Sequence, residues 1–180
     1  LSDCLNFGNP ENPEVLRQLE QCVEGIAAAC EALKIPVVSG NVSFYNDTDG
    51  KPIYPTPMIG MVGIIEDKLS LPHSNFYCTQ LELALIGPVE GGLGGSLMAS
   101  SWFKRECGQP EETDLAHLER MLKFCQRLRR RKFTYAAHDI SDGGLVCSLL
   151  EMAFHSQFDC TGIELITPMG VDLDRFLFGE

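Results

Sequence analysis

Apolar residues between positions 13 and about 34 recur at three- and four-residue steps: Val15, Leu19, Cys22, Val23, Ile26, Ala27, Cys30 and Leu33. That spacing lays one apolar stripe along an amphipathic helix. Asn12 and Pro13 suit its N-cap and first helical position. The small residues from Gly25 to Ala29 imply close packing on a sheet. Upstream, Asn6-Phe7-Gly8-Asn9-Pro10 is turn chemistry. The period then changes from 3.6 to 2. Pro36, Val37 and Val38 predict a short buried strand entered from the helix, and Ser39 and Gly40 remove side-chain bulk. Asn41, Ser43 and Tyr45 alternate with Val42 and Phe44, which puts an amide, a hydroxyl and a phenol on one strand face. Residues 46–50 predict a hairpin loop with Gly50 in the left-handed region. Residues 51–65 predict a returning strand. Pro52, Pro55 and Pro57 confine its first half to an edge, and the apolar second half is expected to be covered on both faces.

Residues 66–77 carry charges and no periodicity, and read as a linker between two domains. Beyond it, a strand is expected at 81–87, followed by Gly91-Gly92-Leu93-Gly94-Gly95-Ser96 and an apolar stretch at 97–103. Residues 115–131 predict a second amphipathic helix, with Thr113 or Asp114 as cap and Leu115, Leu118, Met121, Leu122, Cys125 and Leu128 facing inward. A strand at 135–140 leads through Ser141, Asp142 and Gly143 into a helix ending near His155. A strand at 163–166 and a short helix at 171–178 complete the pattern. The alternation of strands and helices is that of an α/β (α+β) protein.

Composition narrows the class. Hydrophobic residues make up 44% and charged residues 22% of the 180, ordinary for a globular chain. A net charge of -11 with no basic stripe argues against nucleic acid as a partner. The local run of Arg127, Arg129, Arg130, Arg131 and Lys132 falls at a helix end, where cations complement the macrodipole. The eight cysteines are scattered with no Cys-x-x-Cys pair, so all are expected to be reduced and most to be buried packing residues. With no membrane-length apolar run and no signal peptide, a cytoplasmic location and no membrane partner are expected. Leu1 and Glu180 both read as cut ends of a fragment.

Three stretches carry candidate chemistry. Asn41, Ser43 and Tyr45 offer oxygen ligands to a hard cation or donors to a phosphorylated molecule, though a merely solvated strand face fits the same spacing equally well. The glycine-rich stretch at 91–96 could cradle phosphate ahead of a helix. It lacks the features of a P-loop or a dinucleotide fingerprint, and a tight strand-to-helix turn is the simpler reading. His138, Asp139 and Asp142 stand at a strand end before a helix, either as a metal- or phosphate-side site or with Asp142 or Ser141 as helix cap.

Several motifs in one order carry a resemblance. Asp3-Cys4-Leu5-Asn6-Phe7-Gly8-Asn9-Pro10-Glu11 and Ser39-Gly40-Asn41-Val42-Ser43-Phe44-Tyr45-Asn46 resemble the second half of the small, separate-subunit form of phosphoribosylformylglycinamidine synthase. Tyr54-Pro55-Thr56-Pro57, Leu93-Gly94-Gly95-Ser96, the stretch from Ala137 to Leu145, and Leu177-Phe178-Gly179-Glu180 fit the same pattern. The likeness covers essentially the whole chain. It implies the fold of the aminoimidazole ribonucleotide synthetase superfamily. Residues 1–67 would then end a sheet-forming first domain, and 68–180 would be most of an α/β second domain, both from the second of two tandem units.

The reaction so implied is ATP-dependent amidation of formylglycinamide ribonucleotide, with ammonia supplied by a glutaminase partner. ATP and Mg²⁺ are the implied cofactors. Matching positions put Asp3 and Gly40 at ATP, the Asn41 side-chain oxygen at Mg²⁺ and Ser43 at the substrate. Asp139 and Asp142 match a Mg²⁺-binding place in the first unit, and Glu180 matches the start of a substrate-binding segment there. No catalytic residue is expected within these 180 residues, so the isolated chain is expected to be inactive. It is expected to need the upstream part of the same enzyme and to form a homo-oligomer. Other superfamily members would carry an acidic residue at position 41. A non-catalytic binding or assembly module and a thiol-rich metal protein are the readings from other classes.

Overall fold

A computed structural model of the chain describes residues 1–65, 67–68, 71–76, 82–105, 107–132, 136–154, 156 and 162–180. The chain divides into two compact units, Leu1–Glu66 and Asp67–Glu180.

The first unit is a βαβ element with an added antiparallel strand. Strand β1 (Ser2–Asn6) leads to helix α1 (Pro13–Leu33) and back to β2 (Ser39–Ser43), which pairs parallel to β1. A parallel return needs a crossover of at least a dozen residues, and α1 supplies it. Asn12 caps α1, accepting from the Glu14 N–H at 3.0 Å with Pro13 just inside. Lys34 closes it in the left-handed region at φ 57°, its N–H donating to the Cys30 and Glu31 carbonyls. The short hairpin of β3 (Asp47–Thr48) and β4 (Lys51–Pro52) turns through Asp49 and Gly50, both at positive φ, as a two-residue primed turn requires. Strand β5 (Thr56–Gly60) then pairs antiparallel to β1 and completes a sheet in the order β2-β1-β5.

Leu5, Phe7 and Val15 are the buried core of this unit, with Leu19, Cys22, Ile26 and Phe44 packed around them. Each fully buried side chain of this kind contributes about 1.5–3 kcal/mol. Burial, and secondarily the Asp3 carboxylate, push the Cys22 thiol up from its ordinary range.

Several expectations for this unit need correction. Residues 2–6 form the central strand, and Asn6 ends it rather than opening a turn. Val37 and Val38 lie outside β2 and are exposed. Pairing does reach this segment, since the Val38 N–H donates to the Leu1 carbonyl at 2.9 Å and the Leu1 amino group to the Pro36 carbonyl at 3.0 Å, but the regular ladder starts at Ser39. Residues 58–65 are not covered on both faces: Val62 is 100% and Ile64 94% exposed. β5 stops at Gly60, and α1 packs on only one side of the sheet. An apolar run records a tendency to be covered, not the cover itself.

In the second unit, helix α2 (Leu97–Ser101) follows the glycine-rich stretch, and α3 (Leu115–Arg130), α4 (Gly144–Phe154) and α5 (Leu173–Phe178) follow in order. Phe76, Leu149 and Met152 form its buried cluster, with Ala136, Leu145, Ala153 and Ile163 against them. The presumed linker therefore ends inside this core: Phe76 is buried, and its N–H donates to the Met152 carbonyl. Asp114 caps α3, accepting the His117 N–H at 2.9 Å, a bond that holds its carboxyl below the usual range. No residue of α3 is buried among the described residues, and Leu122 and Cys125 are exposed rather than inward. An amphipathic stripe made the helix, but the stripe is covered only in part: Leu115, Leu118, Met121 and Leu128 are half-buried.

The described parts of the strands expected at 81–87, 135–140 and 163–166 form no ladder. Only Ala136 makes an isolated parallel bridge, with His73. Leu81 and Tyr135 lie outside the described residues. Strand propensity needs a neighbouring backbone to pair with. The six described cysteines form no disulfide. None of the six is fully buried, however, and Cys107 and Cys125 are exposed. Cys78 and Cys160 lie outside the described residues. The α/β class stands, since the chain combines helices with small sheets, one of them mixed.

Candidate functional site

Strand alternation sorts the candidates of the first unit onto two faces. Leu5 packs against Val15 of α1, so β1 residues of its parity, including Asp3, face the helix. Asp3 is the register partner of Gly40, and a Cβ at position 40 would fall on the Asp3 carboxylate. Gly40 is therefore glycine because the Asp3 side chain lies over it. The opposite, open face carries Ser2, Cys4 and Asn6 of β1 beside Ser39, Asn41 and Ser43 of β2. Thr56 and Met58 of β5 continue it.

The pairs within this face are polar. Ser39 Oγ donates to Ser2 Oγ at 2.9 Å, and Asn41 Nδ2 reaches Ser43 Oγ at 3.5 Å. The rim beyond Ser43 is locked by Asn46, whose Nδ2 donates to the Ser43 carbonyl at 2.9 Å and the Phe7 carbonyl at 3.0 Å. Tyr45 departs from the expected alternation. It lies past the end of β2 with φ 60°, held by its N–H bond to the Gly8 carbonyl at 3.0 Å. The ladder thus offers an amide and a hydroxyl without the phenol.

Of the four residues proposed to bind ligands, the structure brings Asn41 and Ser43 together on the open face and Asp3 and Gly40 together on the helix face. Asn6 was missed. The signal was available, since Ser2, Cys4 and Asn6 alternate with Asp3 and Leu5, but turn residues after Asn6 masked the strand before it.

The donor set tests the fit of a metal. Asn41 Oδ1 and Ser43 Oγ are neutral oxygens, and the Asp3 carboxylate belongs to the other face. Mg²⁺ takes oxygen ligands and usually keeps waters and substrate phosphates in its shell. The face therefore fits one carboxamide ligand to a cation that arrives with a polyphosphate, and does not fit chelation of a bare ion. Among the described residues no group of three His, Cys, Asp or Glu side chains could hold a metal.

The second unit's candidates are arranged differently. His138 Nδ1 lies 2.7 Å from the Asp139 carbonyl, and its Nε2 lies 3.4 Å from Glu151 Oε2. The Asp139 side chain is 85% exposed. Neither Asp142 nor Ser141 caps α4 with its side chain. Glu180 does, its Oε1 accepting the Gly143 N–H and also the Leu97 N–H at the start of α2, both at 2.8 Å. The glycine-rich stretch is closed by the same segment. Gly91 N–H donates to the Arg175 carbonyl and Gly92 N–H to the Glu180 carbonyl, while Gly95 N–H donates to the Cys107 carbonyl. These amides, which a phosphate would need, are already used within the chain. The tight-turn reading is the one the geometry supports.

Residues 1–65 match the family described as AIR synthase related protein, N-terminal domain, and residues 81–174 match AIR synthase related protein, C-terminal domain. Along its whole length the chain is 41% identical to phosphoribosylformylglycinamidine synthase subunit PurL of Anaeromyxobacter dehalogenans. It is 44% identical to the protein of that name from Methylocella silvestris and 37% identical to that from Tropheryma whipplei. The chain spans 25%, 24% and 24% of those three relatives, about a quarter of their length.

Proposed function

Because the chain belongs to the AIR synthase related family, we propose that it is part of an ATP-dependent ligase converting formylglycinamide ribonucleotide to its amidine in purine synthesis. The observation that carries this reading is the likeness, along the entire chain, to relatives that bear the synthase name. The open face of β1 and β2 supports it, since a nucleotide–metal complex and a ribonucleotide both need fixed neutral oxygens and hydroxyls.

In this reading Asn41 Oδ1 is one ligand of Mg²⁺ accompanying ATP, and Ser43 Oγ bonds the substrate. The metal's chemistry would be to neutralise phosphate charge during phosphoryl transfer. Asp3 and Gly40 contribute to ATP binding from the other face, Gly40 through its backbone. Asp139 and Asp142, with exposed side chains, stay secondary candidates. Residues 1–67 and 68–180 are the end of one sheet-forming domain and most of an α/β domain, from the second of two tandem units. The remaining part of the enzyme supplies the general base and the Mg²⁺-binding carboxylates, and a glutaminase partner supplies ammonia. The exposed apolar run of Met61, Val62, Ile64 and Ile65 is consistent with a further copy or segment covering it. A cytoplasmic location fits the free thiols and the lack, among the described residues, of a helix long and apolar enough to cross a membrane.

The test is amidine formation by the full-length protein containing this chain, from formylglycinamide ribonucleotide, ATP, Mg²⁺ and ammonia. Turnover that stops on chelation of Mg²⁺ is expected. No turnover is expected from the 180 residues alone. A full-length protein that binds neither nucleotide nor ribonucleotide would overturn the reading.

A further inference from the structure

Asn6 ends β1 on the open face, beside Ser43 in the parallel register and beside Thr56 in the antiparallel one. Its Nδ2 donates to the Cys4 and Thr56 carbonyls, each at 3.2 Å, and lies 3.6 Å from Cys4 Sγ. Both amide protons are thereby committed to the backbone of the sheet. The carboxamide plane is fixed, and Oδ1 is left without a hydrogen bond among the described residues. That oxygen also keeps access to solvent, because no fully buried side-chain nitrogen or oxygen among the described residues lacks a partner. A carboxamide oriented by its own N–H groups is a preorganised acceptor, and holding it so lowers the ordering cost of binding. On β2, Asn41 is held more loosely, with a single Nδ2 bond to Ser43 Oγ at 3.5 Å, and its Oδ1 is also uncommitted among the described residues.

We infer that Asn6 is a further substrate-binding residue, its Oδ1 accepting a hydrogen bond from an N–H or O–H of the molecule that Ser43 contacts. A carbonyl oxygen attracts a donor and repels phosphate oxygens. It therefore selects the amide or sugar-hydroxyl part of a ribonucleotide and not its phosphate. This inference rests on the proposed role of the open face, and deepens it by assigning the chemical class that meets this end of β1.

The test uses the full-length protein and three variants. Asn6→Ala is expected to raise the KM for formylglycinamide ribonucleotide roughly 2- to 13-fold, the loss of one hydrogen bond, with the KM for ATP unchanged. Ser43→Ala and Asn41→Ala run in parallel. If Ser43→Ala raises that KM and folded Asn6→Ala does not, the inference fails while the reading of the face stands. If none of the three changes either KM, both fail. Should Asn6→Ala not fold, alkylation of Cys4 by iodoacetamide in the wild-type protein decides, followed by peptide mass spectrometry. Substrate at Asn6 shields the neighbouring thiol, so slower alkylation in its presence supports the inference. An unchanged rate overturns it.

Discussion

Two stretches of this chain present the same invitation on paper, and the folded protein treats them in opposite ways. The face of β1 and β2 and the glycine-rich entry to α2 both place small or polar residues where a ligand could approach. At the strands, Asn6 Nδ2 bonds the sheet backbone and Asn41 Nδ2 reaches the Ser43 hydroxyl, which leaves Asn6 Oδ1 and Asn41 Oδ1 uncommitted. At the glycines, the amides are consumed. Gly91 and Gly92 bond the end of the chain, and the Glu180 carboxylate gathers the starts of α2 and α4. Close backbone approach is common to ligand sites and to tight packing. Whether the polar groups are already satisfied tells them apart.

The largest effect should come from breaking the start of α4, which the same Glu180 carboxylate joins to the glycine-rich entry of α2. Gly144 has φ 70°, and a Cβ there would lie 2.6 Å from Phe178 Cα, an atom of the backbone that cannot move aside alone. Gly144→Ala is expected to destabilise by about 3 kcal/mol or more, read as a lower denaturant midpoint. An unchanged midpoint would show that α4 and the α5 end are not packed as described. Next is Glu180→Ala, which removes the acceptor of two helix-entry amides. A loss of about 1.5 kcal/mol is expected, at the low end for a charged hydrogen bond because Glu180 is exposed.

The strand face should respond in the opposite manner. Asn41→Ala and Ser43→Ala are expected to leave stability within about 0.5 kcal/mol, since each removes only surface bonds. In the full-length protein, Asn41→Ala should nevertheless weaken Mg-ATP binding roughly tenfold, and Ser43→Ala should weaken substrate binding by about 0.5–1.5 kcal/mol. Titration calorimetry beside thermal melts separates the two quantities. A stability loss without a binding loss would turn the face into scaffold and dissolve the contrast.

The smallest effect concerns the cap of α3, which touches neither region. The His117 N–H holds the Asp114 carboxyl below its ordinary range. A carboxyl whose folded pKa is lowered stabilises above its unfolded value and loses that contribution as pH falls through the folded one. Acidification below about pH 4 should fray α3. Asp114→Asn keeps the cap but should remove this acid-dependent part of the far-ultraviolet circular dichroism change. The same acid profile in both proteins would argue against the cap.

Local pattern was enough for the elements that depend only on their own residues. Helix α1 with Asn12 and Pro13 at its start, α3 behind Asp114, α4, α5 and the positive φ of Gly50 all follow from spacing, capping and steric freedom, which act over a few residues. The motifs of the first eleven residues and of 39–46 likewise carried the family, because they are strings of side chains. What needed the tertiary structure was every property that involves a second backbone. Ladder pairing made 2–6 a central strand and left 82–86 without one. The same pairing put Asp3 and Gly40 on the face opposite Asn41 and Ser43. Burial of Phe76 put the end of a presumed linker into core. Most of all, Glu180, far along the chain from Leu97, decided that the glycine-rich turn is closed. No window of neighbouring residues contains that contact, so no periodicity within it could have shown it.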